Sequence, residues 1–63
     1  MGDAMSIAQA ERLVETEARI IKLPGGCWRA WLRRRGVVGY GTTRPLAIQD
    51  AAVKLVQKMA VGT

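Results

Sequence analysis

The apolar positions of this chain fall into two stretches of helical period, separated by three short stretches of strand character. Ile7, Ala10, Leu13, Val14 and Ala18 recur at helical spacing, with Gln9, Glu11, Arg12, Glu15 and Glu17 around them. Ser6 with Gln9 three residues on makes a capping box, so a helix is predicted over 6–17. Its acids crowd toward the C-terminal end, where the helix dipole disfavours them. Arg19-Ile20-Ile21-Lys22-Leu23 is short and β-branched, and Pro24-Gly25-Gly26 stops it, which predicts a strand over 18–23. From Cys27 to Arg33 the pattern alternates. Trp28, Ala30 and Leu32 share one face, and Arg29, Trp31 and Arg33 the other.

That second strand is expected over 27–34, with Arg34-Arg35-Gly36 turning the chain into a third over 37–41. Gly39 and Gly41 in the third strand signal a bulge or the close approach of another backbone. Thr42-Thr43-Arg44-Pro45 opens a second helix over 44–60, with Thr43 or Arg44 as its N-cap and Pro45 in its first turn. Ile48, Ala52, Leu55 and Met59 form its apolar stripe, supported by Ala47, Ala51 and Val56, and Gly62 lies past its end. The order predicts an α+β fold, α-β-β-β-α: a three-stranded antiparallel meander with both helices on its apolar face.

Length then bounds the architecture. The 63 residues are expected to form one domain over 1–63. So short a chain buries only about 60% of its unfolded surface. A homodimer or higher homo-oligomer is therefore expected to add buried area. The apolar runs are too short to span a membrane. Residues Met1 to Met5 show no secretory signal, and a lone cysteine leaves no internal disulfide, so a cytoplasmic location is expected.

Charge sharpens the picture through its placement. Residues 1–17 carry Asp3, Glu11, Glu15 and Glu17 against Arg12. Residues 18–45 carry Arg19, Lys22, Arg29, Arg33, Arg34, Arg35 and Arg44 with no acid. The net charge is +5. A block of seven cations without a carboxylate either repels itself in solvent or meets an anionic partner, and guanidinium groups match phosphate and carboxylate well.

Catalysis has little to stand on. The chain has no His, the usual base near neutral pH. Cys27 is the only thiol, and no neighbouring residue could act as its base. No Cys/His cluster suggests a metal, and neither metal nor cofactor is expected. Gly39-Tyr40-Gly41 lacks the third Gly of a dinucleotide fingerprint and the Gly-Lys-Ser/Thr ending of a P-loop. The helix start after it still offers Thr42, Thr43 and Arg44 as anion donors. The sharpest signal is the strand bearing Arg29, Trp31 and Arg33. With Trp28 in the core, Trp31 faces outward between two guanidinium groups. That arrangement suits a base stacked on Trp31 with its phosphates on arginine, or a hot spot in a protein interface. Tyr40 joins this face from the next strand, and a second copy of the chain covering Trp31 is the plain alternative.

Gly26-Cys27-Trp28-Arg29-Ala30, followed by Thr43-Arg44-Pro45-Leu46-Ala47-Ile48-Gln49-Asp50-Ala51-Ala52, resembles small phage and prophage proteins of the phage ABA sandwich type. Val53 stands where that pattern carries Leu. The likeness covers residues 5–59 and implies a phage-encoded protein in the cytoplasm of an infected or lysogenic bacterial host. Gly39, Gly41, Thr43, Ala47, Ala51 and Ala52 also match the spacing of the double-stranded-RNA-binding domain. Of that family's three phosphate-binding lysines only Arg44 has a cationic counterpart, with Pro45 and Ile48 at the other two places. Gly41, Thr43, Ala47 and Ala51 further resemble the turn into a helix of HicB-type antitoxins.

The expected function is thus non-enzymatic: a phage-type accessory protein, with an anti-defence role by analogy, binding nucleic acid or a nucleotide signal. Arg29, Arg33, Arg34, Arg35 and Arg44 would supply charge, Trp31 and Tyr40 stacking, and Thr43 a donor. The rival is a protein-interaction module docking the same face on an acidic host-protein surface, with an enzyme using Cys27 ranked below both.

Overall fold

Residues 5–61 are described in the computed structural model of the chain, with side chains for 5–59. They form α1 (Ile7–Glu17), β1 (Arg19–Lys22), β2 (Trp28–Leu32), β3 (Val37–Gly41) and α2 (Arg44–Val61). The three strands make one antiparallel sheet in the order β1-β2-β3, so the α-β-β-β-α meander is present. No described helix is long and apolar enough to cross a membrane. The expected stop at Gly62, and the start of the chain at 1–4, lie outside the described residues.

The capping box at Ser6 is formed in both directions. Gln9 N–H donates to Ser6 Oγ at 3.1 Å, and Ser6 N–H donates to Gln9 Oε1 at 3.0 Å. The helix that follows packs chiefly on α2 and only lightly on β2. A helix lying on another helix covers a narrow stripe, so Ala10 and Val14 are buried while Ile7, at the start of the predicted apolar face, stays 41% exposed. The core is completed by Ala30, Leu32, Val37, Ala47, Ile48, Ala51, Ala52 and Leu55. Trp28 is half-buried and packs against this core, whereas Met59, at the end of the predicted stripe, is exposed.

The glycines of β3 explain how α2 sits. A Cβ on Gly39 would overlap the Ala51 backbone nitrogen and stand 2.7 Å from the Ala47 carbonyl oxygen. Helix backbone thus lies against strand backbone, with small residues on both sides. The β2–β3 register runs unbroken from Leu32↔Val37 to Trp28↔Gly41. The glycines therefore mark close approach and not a bulge.

Several boundaries differ from the pattern: β1 begins at Arg19, because Ala18 caps α1, and α2 runs to Val61. β2 ends at Leu32 because Arg33–Arg35 form a 3-10 turn, closed by Gly36 at φ 65° in the left-handed region. Leu23 lies beyond β1, and its N–H donates to the carbonyl of Cys27 at 2.6 Å, closing the hairpin. Cys27 is therefore an exposed hairpin residue that precedes β2.

The two edges of the sheet are finished differently. Successive residues of an antiparallel strand direct their backbone groups alternately to one neighbour and the other. Val38 and Tyr40 accordingly point theirs away from β2. α2 meets two of these groups: Tyr40 N–H donates to Asp50 Oδ2 at 2.9 Å, and Lys54 Nζ donates to the Val38 carbonyl at 3.2 Å. Lys54 also pairs with Asp50 at 2.9 Å. The hydrogen bond from the Tyr40 amide, with that from Lys54, holds the Asp50 carboxyl below the usual carboxylate range. A depressed folded value contributes stability above the unfolded carboxylate pKa of about 4, and that contribution is lost as pH falls through the folded value. The urea midpoint is expected to drop between pH 5 and pH 2, and Asp50→Asn to flatten part of that limb. The effect is modest, since Asp50 is 39% exposed and its pairing is screened. An acid limb unchanged in the variant would move the dependence to other carboxylates.

Candidate ligand-binding face

Both helices lie on one side of the sheet, α2 against the strands and α1 mainly against α2, and the other face stays open. The strand register sorts its side chains into two rows. Arg19, Trp31 and Val38 lie across the sheet in one, and Ile21, Arg29 and Tyr40 in the next. Trp31 is 40% exposed and Tyr40 49%. The Arg29 guanidinium carbon lies 5.8 Å from the centre of the Trp31 ring, close enough for a cation–π contact. Its Nε is shielded from water and has no hydrogen-bond partner. Arg29 therefore sits against the aromatic and does not reach freely into solvent.

Trp31, in the first row, forms one wall of an open cleft of about 580 Å³ lined by Glu17, Arg19, Trp31, Leu32, Arg33 and Arg34. Three arginines, Arg19, Arg33 and Arg34, share its lining with the exposed Trp31. Arg33 reaches this place from the 3-10 turn and not from the strand. Arg19 joins the cleft although the sequence pattern does not assign it. The signal lies in the pairing Arg19↔Trp31, which needs the hairpin register to be known. The cleft has one carboxylate, Glu17, and Arg35 Nε meets it at 3.3 Å. That pair also accounts for the acid at the C-terminal end of α1.

The remaining predicted site residues divide. Arg35 points its Nε at Glu17, and its carbonyl accepts from Lys58 Nζ at 2.6 Å, so it braces the turn beside the cleft. Thr43 and Arg44 lie at the start of α2, just beyond Gly41. Gly41 pairs with Trp28, at the end of the sheet opposite Leu32 and Val37. A five-residue strand separates these ends by about 13 Å at 3.3 Å per residue, so the structure does not bring Thr43 and Arg44 together with Arg33 and Arg34. The Thr43 hydroxyl accepts from Leu46 N–H at 3.3 Å, which makes Thr43 the N-cap of its helix.

No protein-family model, no curated protein and no solved structure matches this chain.

Proposed function

We propose that this chain is a non-enzymatic, phage-type accessory protein that captures a phosphate-rich ligand, nucleic acid or nucleotide, on the open face of its sheet. The observation that carries the reading is the cleft itself: an exposed Trp31 with Arg19, Arg33 and Arg34 around it and a single, already paired carboxylate. An indole face takes a base of any identity, and guanidinium groups take its phosphates. Stacking needs a base free of its own duplex, so single strands and nucleotides suit the cleft better than double helices. Tyr40 and Arg29 extend the surface along the sheet. The phage origin and the bacterial cytoplasm rest on the resemblance of the Gly-Cys-Trp-Arg-Ala and Pro-Leu-Ala-Ile runs, and the anti-defence role on analogy with small phage proteins alone.

Titration of a labelled single-stranded oligonucleotide by fluorescence anisotropy at several salt concentrations tests this. Three neutralised phosphates predict a slope of log K against log salt of about −2, at roughly −0.7 per phosphate on a single strand. A slope near zero, or stronger binding to duplex than to single strand, overturns the reading. One observation favours the rival, a protein-interaction module: Ile21 and Val38, both half-buried, lie beside the aromatics on the open face. Acidic proteins retained from nuclease-treated lysate would support it. A homo-oligomer in sedimentation with Trp31 shielded from quencher would support a second copy.

A further inference from the structure

We propose that the free edge of β1 is a docking site for an extended protein segment of pattern acidic–apolar–apolar–acidic, which adds to the sheet as a fourth strand. This surface shares Arg19 with the rim of the cleft but is built on the backbone edge of β1, and it goes beyond the ligand reading above.

The proposal starts from backbone accounting. Leu23 N–H donates to Cys27, so this residue pair is of the hydrogen-bonded kind. Alternation along the antiparallel register makes Ile21↔Arg29 and Arg19↔Trp31 the other such pairs. Ile20 and Lys22 therefore direct their N–H and C=O groups away from β2. On β3 the same alternation selects Val38 and Tyr40, which are the residues α2 meets through Lys54 and Asp50. At β1 no such cover exists among the described residues: α1 lies on α2 and β2, and no side chain bonds to the Ile20 or Lys22 backbone. One edge of this sheet is closed by its own helix, and the other presents two donors and two acceptors.

The occupant follows from what flanks those groups. Arg19 and Ile21 project to the open face, and Ile20 and Lys22 to the helix side. A strand laid antiparallel along β1 meets, in order, Lys22, Ile21, Ile20 and Arg19. Opposed side chains share a face, so the favoured sequence is acid, apolar, apolar, acid. A second copy is disfavoured here, because β1 against β1 brings Arg19 and Lys22 of both chains into one four-residue ladder. The charges that block self-pairing are those that select an acidic strand.

The probe is the capped hexapeptide Thr-Glu-Val-Val-Glu-Thr, added to the full chain and followed by amide hydrogen exchange. In the free protein the Ile20 and Lys22 amides should exchange fast while that of Ile21 is protected. Saturating peptide should slow Ile20 and Lys22 at least about tenfold. N-methylation of the second valine, whose N–H faces Ile20, should abolish this, and N-methylation of the first valine should not. Changing both glutamates to lysine should weaken binding about tenfold, and Arg19→Glu with Lys22→Glu should reverse that preference. Trp31→Ala should leave peptide binding in place, which separates this site from the cleft. Ile20 and Lys22 amides already protected in the free protein, or indifference to the position of the N-methyl group, would overturn the proposal.

Discussion

Gly39→Ala is expected to lower the melting temperature by at least about 10 °C, at roughly 4–8 °C per kcal/mol for a domain of this size. The added methyl would meet the Ala51 nitrogen, with the Ala47 carbonyl oxygen and the Ala51 Cα each 2.7 Å away. All three are main-chain atoms in the middle of a helix, so no rotamer change can relieve the overlap. Only lifting α2 away from β3 can, and that loosens Ala47, Ile48, Ala51 and Leu55 together. Overpacking of this kind costs about 1–3 kcal/mol or more. The whole domain has only about 3–9 kcal/mol, at 0.05–0.15 kcal/mol per residue. Gly36→Ala is the comparison. Its φ of 65° strains any side chain, but the new Cβ meets only the movable end of Lys58, at 3.1 Å. It should cost about 1–2 kcal/mol. If Gly39→Ala melted like the parent protein, α2 would be free to ride outward and the backbone contact would not hold the fold together.

Gly39 was also the point where local pattern spoke most directly about tertiary structure. A glycine in a strand has few uses besides a bulge and a close approach, and the close approach to α2 is the one this strand takes. The helices and the meander were legible for similar reasons. Period, capping box and hairpin stops are written in neighbouring residues, and Ser6, Gln9 and Pro24 act locally. What stayed hidden depends on distances between elements. Ile7 continues the helical stripe of α1 yet is exposed, because α1 docks on α2 and not broadly on the sheet. Arg33 continues the alternation of β2 yet leaves the strand, because Gly36 lets the chain close a 3-10 turn. Glu17 and Arg35 are 18 residues apart and meet only once the sheet is assembled. Arg19 enters the cleft through a register that turn length sets.

Removing Trp31 and Arg33 together should cut affinity for a single-stranded oligonucleotide by at least about 100-fold. Loss of base stacking accounts for roughly 1–3 kcal/mol by alanine substitution. Loss of one phosphate contact lowers the salt slope by about 0.7. The two single variants should separate these parts: Trp31→Ala weakens binding at every salt concentration, whereas Arg33→Ala weakens it most at low salt. Neither residue belongs to the buried core, so thermal stability should change little, and lost binding cannot be ascribed to lost fold. Arg35 offers a sharper check on the cleft. Arg35→Ala leaves Glu17 without its partner at 3.3 Å, placing an uncompensated carboxylate in the cleft wall, so it should weaken binding. Adding Glu17→Gln should then restore affinity, because Arg35 acts by neutralising Glu17 and not by touching the ligand. Arg35→Ala with Glu17→Gln binding as poorly as Arg35→Ala alone would place Arg35 in direct contact. Unchanged binding in Trp31→Ala with Arg33→Ala would remove the cleft from the ligand's path altogether.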